Sequence, residues 1–347
     1  MTGEAKTVQP FLIKPAYHAA IWGGQRMREV LGMTVPFEKT GECWAVSAHP
    51  AGVGEAASGP LKGKKLDELF REHPEVLGGG ELPILAKILD ASDVLSVQVH
   101  PDDEYAARVE HALGKREAWL IIDAPPGAEL ILGVKPGTDR KAFRQAIEEN
   151  RLEAYLLRRK VAPGDVLMIP PGTVHAIGAD ILLYEIQQAS DVVYRVYDWG
   201  RLENGKPRQL HVDKALDVID FDARPPEAVG VVLDEAGCQR RVAIAGDAFA
   251  LEVLEISGRY RREEEERFFA FTCLGGEGHL VSGEERLLLE AGDSAFVPAD
   301  AGAWGLEGHL WGALVYLPDR TKLRAELMEK GVGPSELGRV CGLEGEG

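Results

Sequence analysis

A local pattern that occurs twice constrains this chain more than any other feature. Residues 164–177 read GDVLMIPPGTVHAI and residues 292–304 read GDSAFVPADAGAW. Each places Gly-Asp at a turn, follows it with an apolar run of strand length, and sets Pro at the strand exit. An internal duplication of two β units is the simplest source of such self-similarity. The copies differ in chemistry: the first adds Gly172 and His175, whereas the second has neither and carries Trp304 near the histidine position. One unit is therefore expected to be chemically live and the other silent.

Strand-like segments on both sides fit this duplication. PILAKILDA, VLSVQVHP, AWLIIDAP, ELILGV and ILLYEIQQASDVVYRVYDW lie from Leu82 onward, and FALEVLEIS, ERFFAFTCLGGEGHLVS and LWGALVYLP follow a Pro-rich stretch at 221–230. Forty glycines and twenty prolines suit a chain that turns often between short strands. The reading is a mainly β protein: a first domain over 1–225, a smaller β domain over 226–320, and a C-terminal helix with a frayed Gly-rich tail over 321–347. Helical periodicity marks about 62–78, 102–113 and 138–160, the last as two helices broken near Asn150, and these segments cover one side of the first domain. Asp102 and Asp103 follow Pro101 and cap the second of these segments rather than bind metal.

The formal charge is −17, from 39 Lys+Arg against 56 Asp+Glu. That field repels nucleic acid and acidic membrane surfaces. No run approaches the ~18 apolar residues of a membrane span, and the opening MTGEAKTVQP lacks a secretory apolar core, so a cytoplasmic location is expected. Cys43, Cys238, Cys273 and Cys341 form no CxxC pair and read as reduced packing residues. The run RREEEER at 261–267 reads as a solvated loop or strand edge.

The chemistry concentrates in the first unit. Strand alternation puts Ser96, Gln98 and His100 on one face and Leu95, Val97 and Val99 on the other. Residues two apart on a strand are about 7 Å apart at Cα, close enough for Gln98 and His100 to converge on one ion. His175 leaves a second strand after a Pro-Pro-Gly turn, and Glu117 stands on a third. An amide oxygen, two imidazole nitrogens and a carboxylate, without thiolate, suit one divalent metal. Zinc in an open catalytic site comes first, with manganese, iron or cobalt also compatible.

The string from Gly164 to His175 matches the second motif of the cupin barrels, although the later Asn of that motif is absent. KILDASDVLSVQVHPDDEYA (87–106), GKREAWLII (114–122), PPGTVHAI and YEIQQASDVVYRVYDWGR (184–201) together resemble type I mannose-6-phosphate isomerase, the zinc-dependent cupin family, in its shorter bacterial form. FLIKPAYHAAIWGG near the start and RQLHVDKALDVI near residue 210 extend the likeness over about residues 10–320. The resemblance implies two cupin-type barrels (double-stranded β-helix, or jelly-roll), with the helical segments as a cover on the first. It also implies Gln98, His100, Glu117 and His175 as metal ligands, Arg195 as a catalytic arginine, and interconversion of mannose 6-phosphate and fructose 6-phosphate through a metal-stabilised enediolate. Arg116 and Ala118 in GKREAW and the longer tail after residue 320 depart from the family pattern.

Such a reaction needs a base, which stays open among Lys115, Glu185, His100 and water on the metal. Lys115 joins Arg195 among the expected catalytic residues. Lys87, Lys115, Glu185 and Trp22 are placed on the substrate, the two lysines against its 6-phosphate. For Trp22, packing in the core competes with sugar stacking, and His211 reads as structural. The expected partner is a small phosphosugar, with the chain acting as a monomer or homodimer. Two other readings fit the same residues: a sugar-phosphate-binding cupin without catalysis, and a metal-dependent isomerase of unphosphorylated aldoses.

Overall fold

The computed structural model describes residues 8–343. Three antiparallel sheets of six, five and nine strands dominate it. The six-stranded sheet runs Val166–Ile169, Glu117–Asp123, Ile181–Gln188, Ile84–Ala91, Ala16–Gly24 and Thr40–Val46. The five-stranded sheet runs Tyr194–Tyr197, Val97–Val99, His175–Ala176, Glu129–Val134 and Leu156–Lys160. Both contribute to one buried apolar layer that includes Leu89, Trp119, Ile121 and Leu183 from the first and Leu130 and Leu132 from the second. Each large apolar side chain buried there contributes about 1.5–3 kcal/mol.

The other face of the six-stranded sheet is apolar as well. Ala86, Ile88, Ala118, Leu120, Tyr184 and Ile186 share a core with Phe11, Leu251, Val253, Phe296 and Val315 of the nine-stranded sheet. Burial on both faces removes polar alternation, so ILAKILDA and EAWLIID are near-continuous apolar runs in which Lys87 and Glu117 stand out. The five-stranded sheet turns its own outer face, with Val97, Val99, Ile131 and Val196, toward Phe143 and Ala146 of helix Arg140–Glu148 and Ala215 and Leu216 of helix Val212–Val218. Asp102 caps its helix as expected, accepting from the Tyr105 N–H at 2.8 Å.

The repeated turn is visible in both units. Gly164 and Gly292 take φ of 90° and 96°, a conformation that glycine adopts without strain. Short buried strands follow at Val166–Ile169 and Ser294–Val297, and the next strands begin at His175 and Trp304. Strands Phe11–Lys14 and Glu55–Ala56 join the nine-stranded sheet, the first pairing with Ser294–Val297. Neither region closes on itself by strand pairing among the described residues, so what is observed in place of the barrels that the resemblance implies is a set of antiparallel sheets packed face to face.

Some expectations change. The helical periodicity over 138–160 extends too far: the helix ends at Glu148, Asn150 takes φ 52°, and after one 3-10 turn Leu156–Lys160 is a strand beside Glu129–Val134. A five-residue run satisfies either period, and an open sheet edge decides it. The C-terminal segment is packed rather than frayed as far as Leu343, because Val340 and Leu343 are buried with Leu323, Leu327 and Leu337. Residues 344–347, also expected to be frayed, lie outside the described residues. The RREEEER run is only partly solvated: Arg262 ends strand Ala250–Arg262, and alternation turns it inward against Glu252 at 2.9 Å. All four cysteines are free and buried. Among the described residues no helix is long and apolar enough to cross a membrane.

Candidate metal centre

Register builds the site. On the six-stranded sheet Trp44 pairs with Lys87, Lys87 with Glu185, and Glu185 with Trp119. Directly opposed residues share a face, so these four form one row, with Gln187 and Glu117 in the next. On the five-stranded sheet Arg195 pairs with Gln98, and Gln98 with His175. His100 stands two positions along from Gln98, on the same side. Gly172, at φ 82°, sets the turn before His175: its N–H donates to the His100 carbonyl at 2.9 Å, and a Cβ there would lie 2.9 Å from the Val218 carbonyl oxygen.

Ligand atoms of His100, Glu117 and His175 lie within 4.8 Å of one another, and all three residues are buried. His100 Nδ1 meets the Val192 carbonyl at 2.8 Å and His175 Nδ1 meets the Thr173 carbonyl at 2.9 Å. A carbonyl can only accept, so each Nδ1 carries the proton and each Nε2 presents a lone pair. Those Nε2 atoms face the Glu117 carboxylate at 3.5 and 3.3 Å. Oε2 of Glu117 lies 2.7 Å from the Lys115 ammonium as an ion pair, and neither buried carboxylate oxygen accepts a well-formed hydrogen bond among the described residues. Lone pairs crowded together around an orphaned carboxylate oxygen are stabilised by a cation, and the residues present fit a divalent metal.

Electrostatics agree. Burial, reinforced by the Lys115 ammonium, holds His100 well below the usual imidazole range. Burial likewise brings His175 down to about 4, so both rings are neutral at neutral pH, the form in which imidazole can bind a metal. Burial also pushes the Glu117 carboxyl up against the pull of Lys115, and added positive charge would restore its ionised form. Gln98 Nε2 lies 3.3 Å from His175 Nε2; turning the amide over places its oxygen toward the same point.

A chain of alternating charges leads away from this point. Lys115 Nζ is 2.7 Å from Glu117 and 4.0 Å from Glu185, and Lys87 Nζ is 3.5 Å from Glu185 and 3.3 Å from Glu42. Burial opposes the charge on Lys115, but Glu117 and Glu185 outweigh it and hold the ammonium above the ordinary lysine range. Burial opposes ionisation of Glu185 too, and the two lysines overcome it, with the Trp119 indole N–H donating to Oε2 at 3.0 Å. Arg195 Nε donates to Ser96 Oγ at 3.2 Å and Nη1 to the Gln209 carbonyl at 3.0 Å. His211 supports its backbone, donating its N–H to the Arg195 carbonyl at 2.7 Å.

The structure thus brings together Gln98, His100, Glu117 and His175 with Lys87, Lys115 and Glu185, and sets Arg195 beside Gln98. Trp22 packs in the apolar layer with Leu89 and Ile121. Sequence reasoning missed Glu42, Trp44 and Trp119. Period-two spacing could have found them: Glu42 and Trp44 alternate along TGECWAV, and Trp119 stands two residues after Glu117.

This is a mainly β protein whose facing sheets carry a buried His/Glu/His cluster able to hold a metal ion. A family model described as phosphomannose isomerase type I, catalytic domain, matches residues 11–124, and one described as mannose-6-phosphate isomerase, cupin domain, matches residues 240–317. A mannose-6-phosphate isomerase of Streptococcus mutans is 38% identical over 87% of this chain and 96% of its own length. The isomerase ManA of Bacillus subtilis is 38% identical over 87% of this chain and 97% of its own. The crystal structure of a mannose 6-phosphate isomerase from Bacillus subtilis superposes with a TM-score of 0.85 at 36% identity, covering 89% of this chain and 99% of that one. The chain belongs to the type I phosphomannose isomerase family.

Proposed function

We propose that this protein interconverts mannose 6-phosphate and fructose 6-phosphate, with Gln98, His100, Glu117 and His175 holding one divalent metal, zinc first. The observation that carries this reading is the convergence of two imidazole lone pairs and the Glu117 carboxylate in a layer that also holds Lys115. We read the facing six- and five-stranded sheets as a catalytic cupin barrel and the nine-stranded sheet as its metal-free counterpart.

The reaction moves a proton between C1 and C2 of the open sugar and develops negative charge on O1 and O2. A divalent ion, when bound, supplies Lewis-acid polarisation of those oxygens without redox change. Glu42, Glu117 and Glu185 balance Lys87, Lys115 and Arg195, so the ion leaves this layer doubly positive, suited to a phosphorylated sugar even in a chain of net charge −17. Lys115, kept protonated by its two carboxylates, supports developing charge rather than accepting the proton. His100 is no base, because Nδ1 is engaged by a carbonyl and Nε2 by the metal position. Arg195 has Nε and Nη1 fixed and offers Nη2, which has no hydrogen bond among the described residues, to a substrate oxyanion. Lys87 and Glu185 face the substrate as a compensated pair, and Trp22 belongs to the floor beneath it.

Metal-loaded protein should form fructose 6-phosphate from mannose 6-phosphate, lose that activity on chelation, and regain it with zinc. Absence of turnover at full metal occupancy overturns the isomerase, and tight mannose 6-phosphate binding without turnover would favour a binding protein. Equal rates on unphosphorylated mannose would instead favour a free-aldose isomerase. Arg195→Lys should keep the metal but lower kcat/KM by about 10–100-fold, since a point charge cannot reproduce a planar fork. Unchanged kcat/KM in that variant removes Arg195 from the catalytic set.

A further inference from the structure

We propose that Trp44 is a positioning residue that fixes the Lys87 ammonium by holding both the cation and the carboxylate paired with it. The proposal rests on the reading above in that Lys87 is taken to face the phosphosugar. Lys87 Nζ lies 4.8 Å from the Trp44 ring centroid, within the range of a cation–π contact. Trp44 Nε1 donates to Glu42 Oε2 at 2.7 Å, and that same oxygen is 3.3 Å from Lys87 Nζ. Ring to ammonium, ammonium to carboxylate, and carboxylate to indole N–H close a triangle around one residue. Register makes the triangle compulsory: Trp44 is directly opposite Lys87, and Glu42 is two positions earlier on the same face.

The indole is itself held. His18 packs on it with ring centroids 4.6 Å apart, and His49 meets it edge-on at 5.7 Å. Gly52 leaves no slack, because a Cβ there would lie 2.7 Å from the Trp44 ring. Trp44 is buried, so its ring is a wall behind Lys87 and not a surface for the sugar. Only an indole supplies a broad π face and an N–H donor from one rigid group. A lysine stem is flexible, and Glu42 is the outermost carboxylate of the charged chain, with its side chain one quarter exposed. Without the indole N–H, Glu42 is free to turn to solvent, and Lys87 then keeps Glu185 alone.

The test is a double-mutant cycle on metal-loaded full-length protein, using Trp44→Phe, Lys87→Met and the pair, with mannose 6-phosphate as substrate. Phe keeps a ring face and removes the donor. Trp44→Phe should lower kcat/KM by about tenfold with metal stoichiometry and unfolding temperature held, and should have less than about a twofold effect when Lys87 is already Met. Equal losses in both backgrounds overturn the proposal, because a merely structural tryptophan acts regardless of Lys87. A second readout needs no turnover: a lysine ammonium NMR signal moved upfield by the indole ring current should vanish in Lys87→Met and move downfield in Trp44→Leu. If Lys87→Met removes no such signal, the positioning role falls whatever the protein catalyses. If the signal behaves as expected and no sugar phosphate is isomerised, the positioning role stands and the isomerase reading fails.

Discussion

Replacing His175 by Ala should release most of the bound metal and lower isomerase turnover by about a thousandfold, leaving a folded protein. The imidazole carries one of two Nε2 lone pairs in the site, aimed there by the bond of its Nδ1 to the Thr173 carbonyl, and alanine has no donor atom to take its place. Metal chemistry of this kind supplies several kcal/mol of transition-state stabilisation, and each ~1.4 kcal/mol is tenfold in rate. The sheets survive because His175 begins a two-residue strand whose pairing with Gln98 and Leu132 uses the backbone. Metal analysis of the purified variant, its circular dichroism and its turnover together check the result. Metal content equal to that of the unaltered protein would remove His175 from the ligand set.

The second large effect lies in the nine-stranded sheet and concerns stability. Glu252 is wholly buried and accepts from Arg240 through Nε and Nη2, each at 2.7 Å, from Arg262 at 2.9 Å, and from the Tyr316 hydroxyl. Arg240 also pairs with Glu326, and Arg262 donates to Glu265 at 2.6 Å and to the Tyr260 hydroxyl at 2.9 Å. Changing Glu252 to Gln leaves two buried guanidiniums short of charge and should cost about 3–5 kcal/mol, or roughly 5–10 °C in unfolding temperature. Metal binding should be unchanged, since no ligand is touched. The pH dependence has a definite sign. Burial opposes ionisation of Glu252, yet Arg240 and Arg262 outweigh it and bring the carboxyl from 4.5 down to about 2. A carboxyl depressed on folding contributes stability that is whole above the unfolded value and is lost as pH falls toward the folded one. Unfolding temperature should therefore drop between pH 4.5 and about 2 in the unaltered protein, and less steeply in Glu252→Gln. Parallel profiles for the two proteins would show that Glu252 is not the group responsible.

Much of the site was legible because strand alternation is a strict rule. Once VLSVQVHP is a strand, Gln98 and His100 must share a face, and a Pro-Pro-Gly turn must lead His175 out of its loop. The buried arginine network was not legible in the same way. RREEEER looks solvated, and only the folded course of strand Ala250–Arg262, whose own Glu252 comes within 2.9 Å of Arg262, shows that Arg262 points inward. The helical periodicity over 138–160 failed at its end for a related reason: an open strand edge beside Glu129–Val134 captured 156–160. Lys87 and Lys115 stand in the same layer as the His/Glu/His cluster, each as the buried partner of carboxylates.

The sequence by itself determined the repeated Gly-Asp turn and strand pattern, the types of donor residue and the chemistry they favour, because alternation and donor identity are local properties. Only the tertiary structure decided which residues hold those donors in place. The tautomer of His100, the charge chain from Glu42 to Glu117 and the clamp on Trp44 depend on contacts between segments far apart in sequence. Such contacts are fixed by the burial of whole sheet faces against one another, which no local pattern encodes.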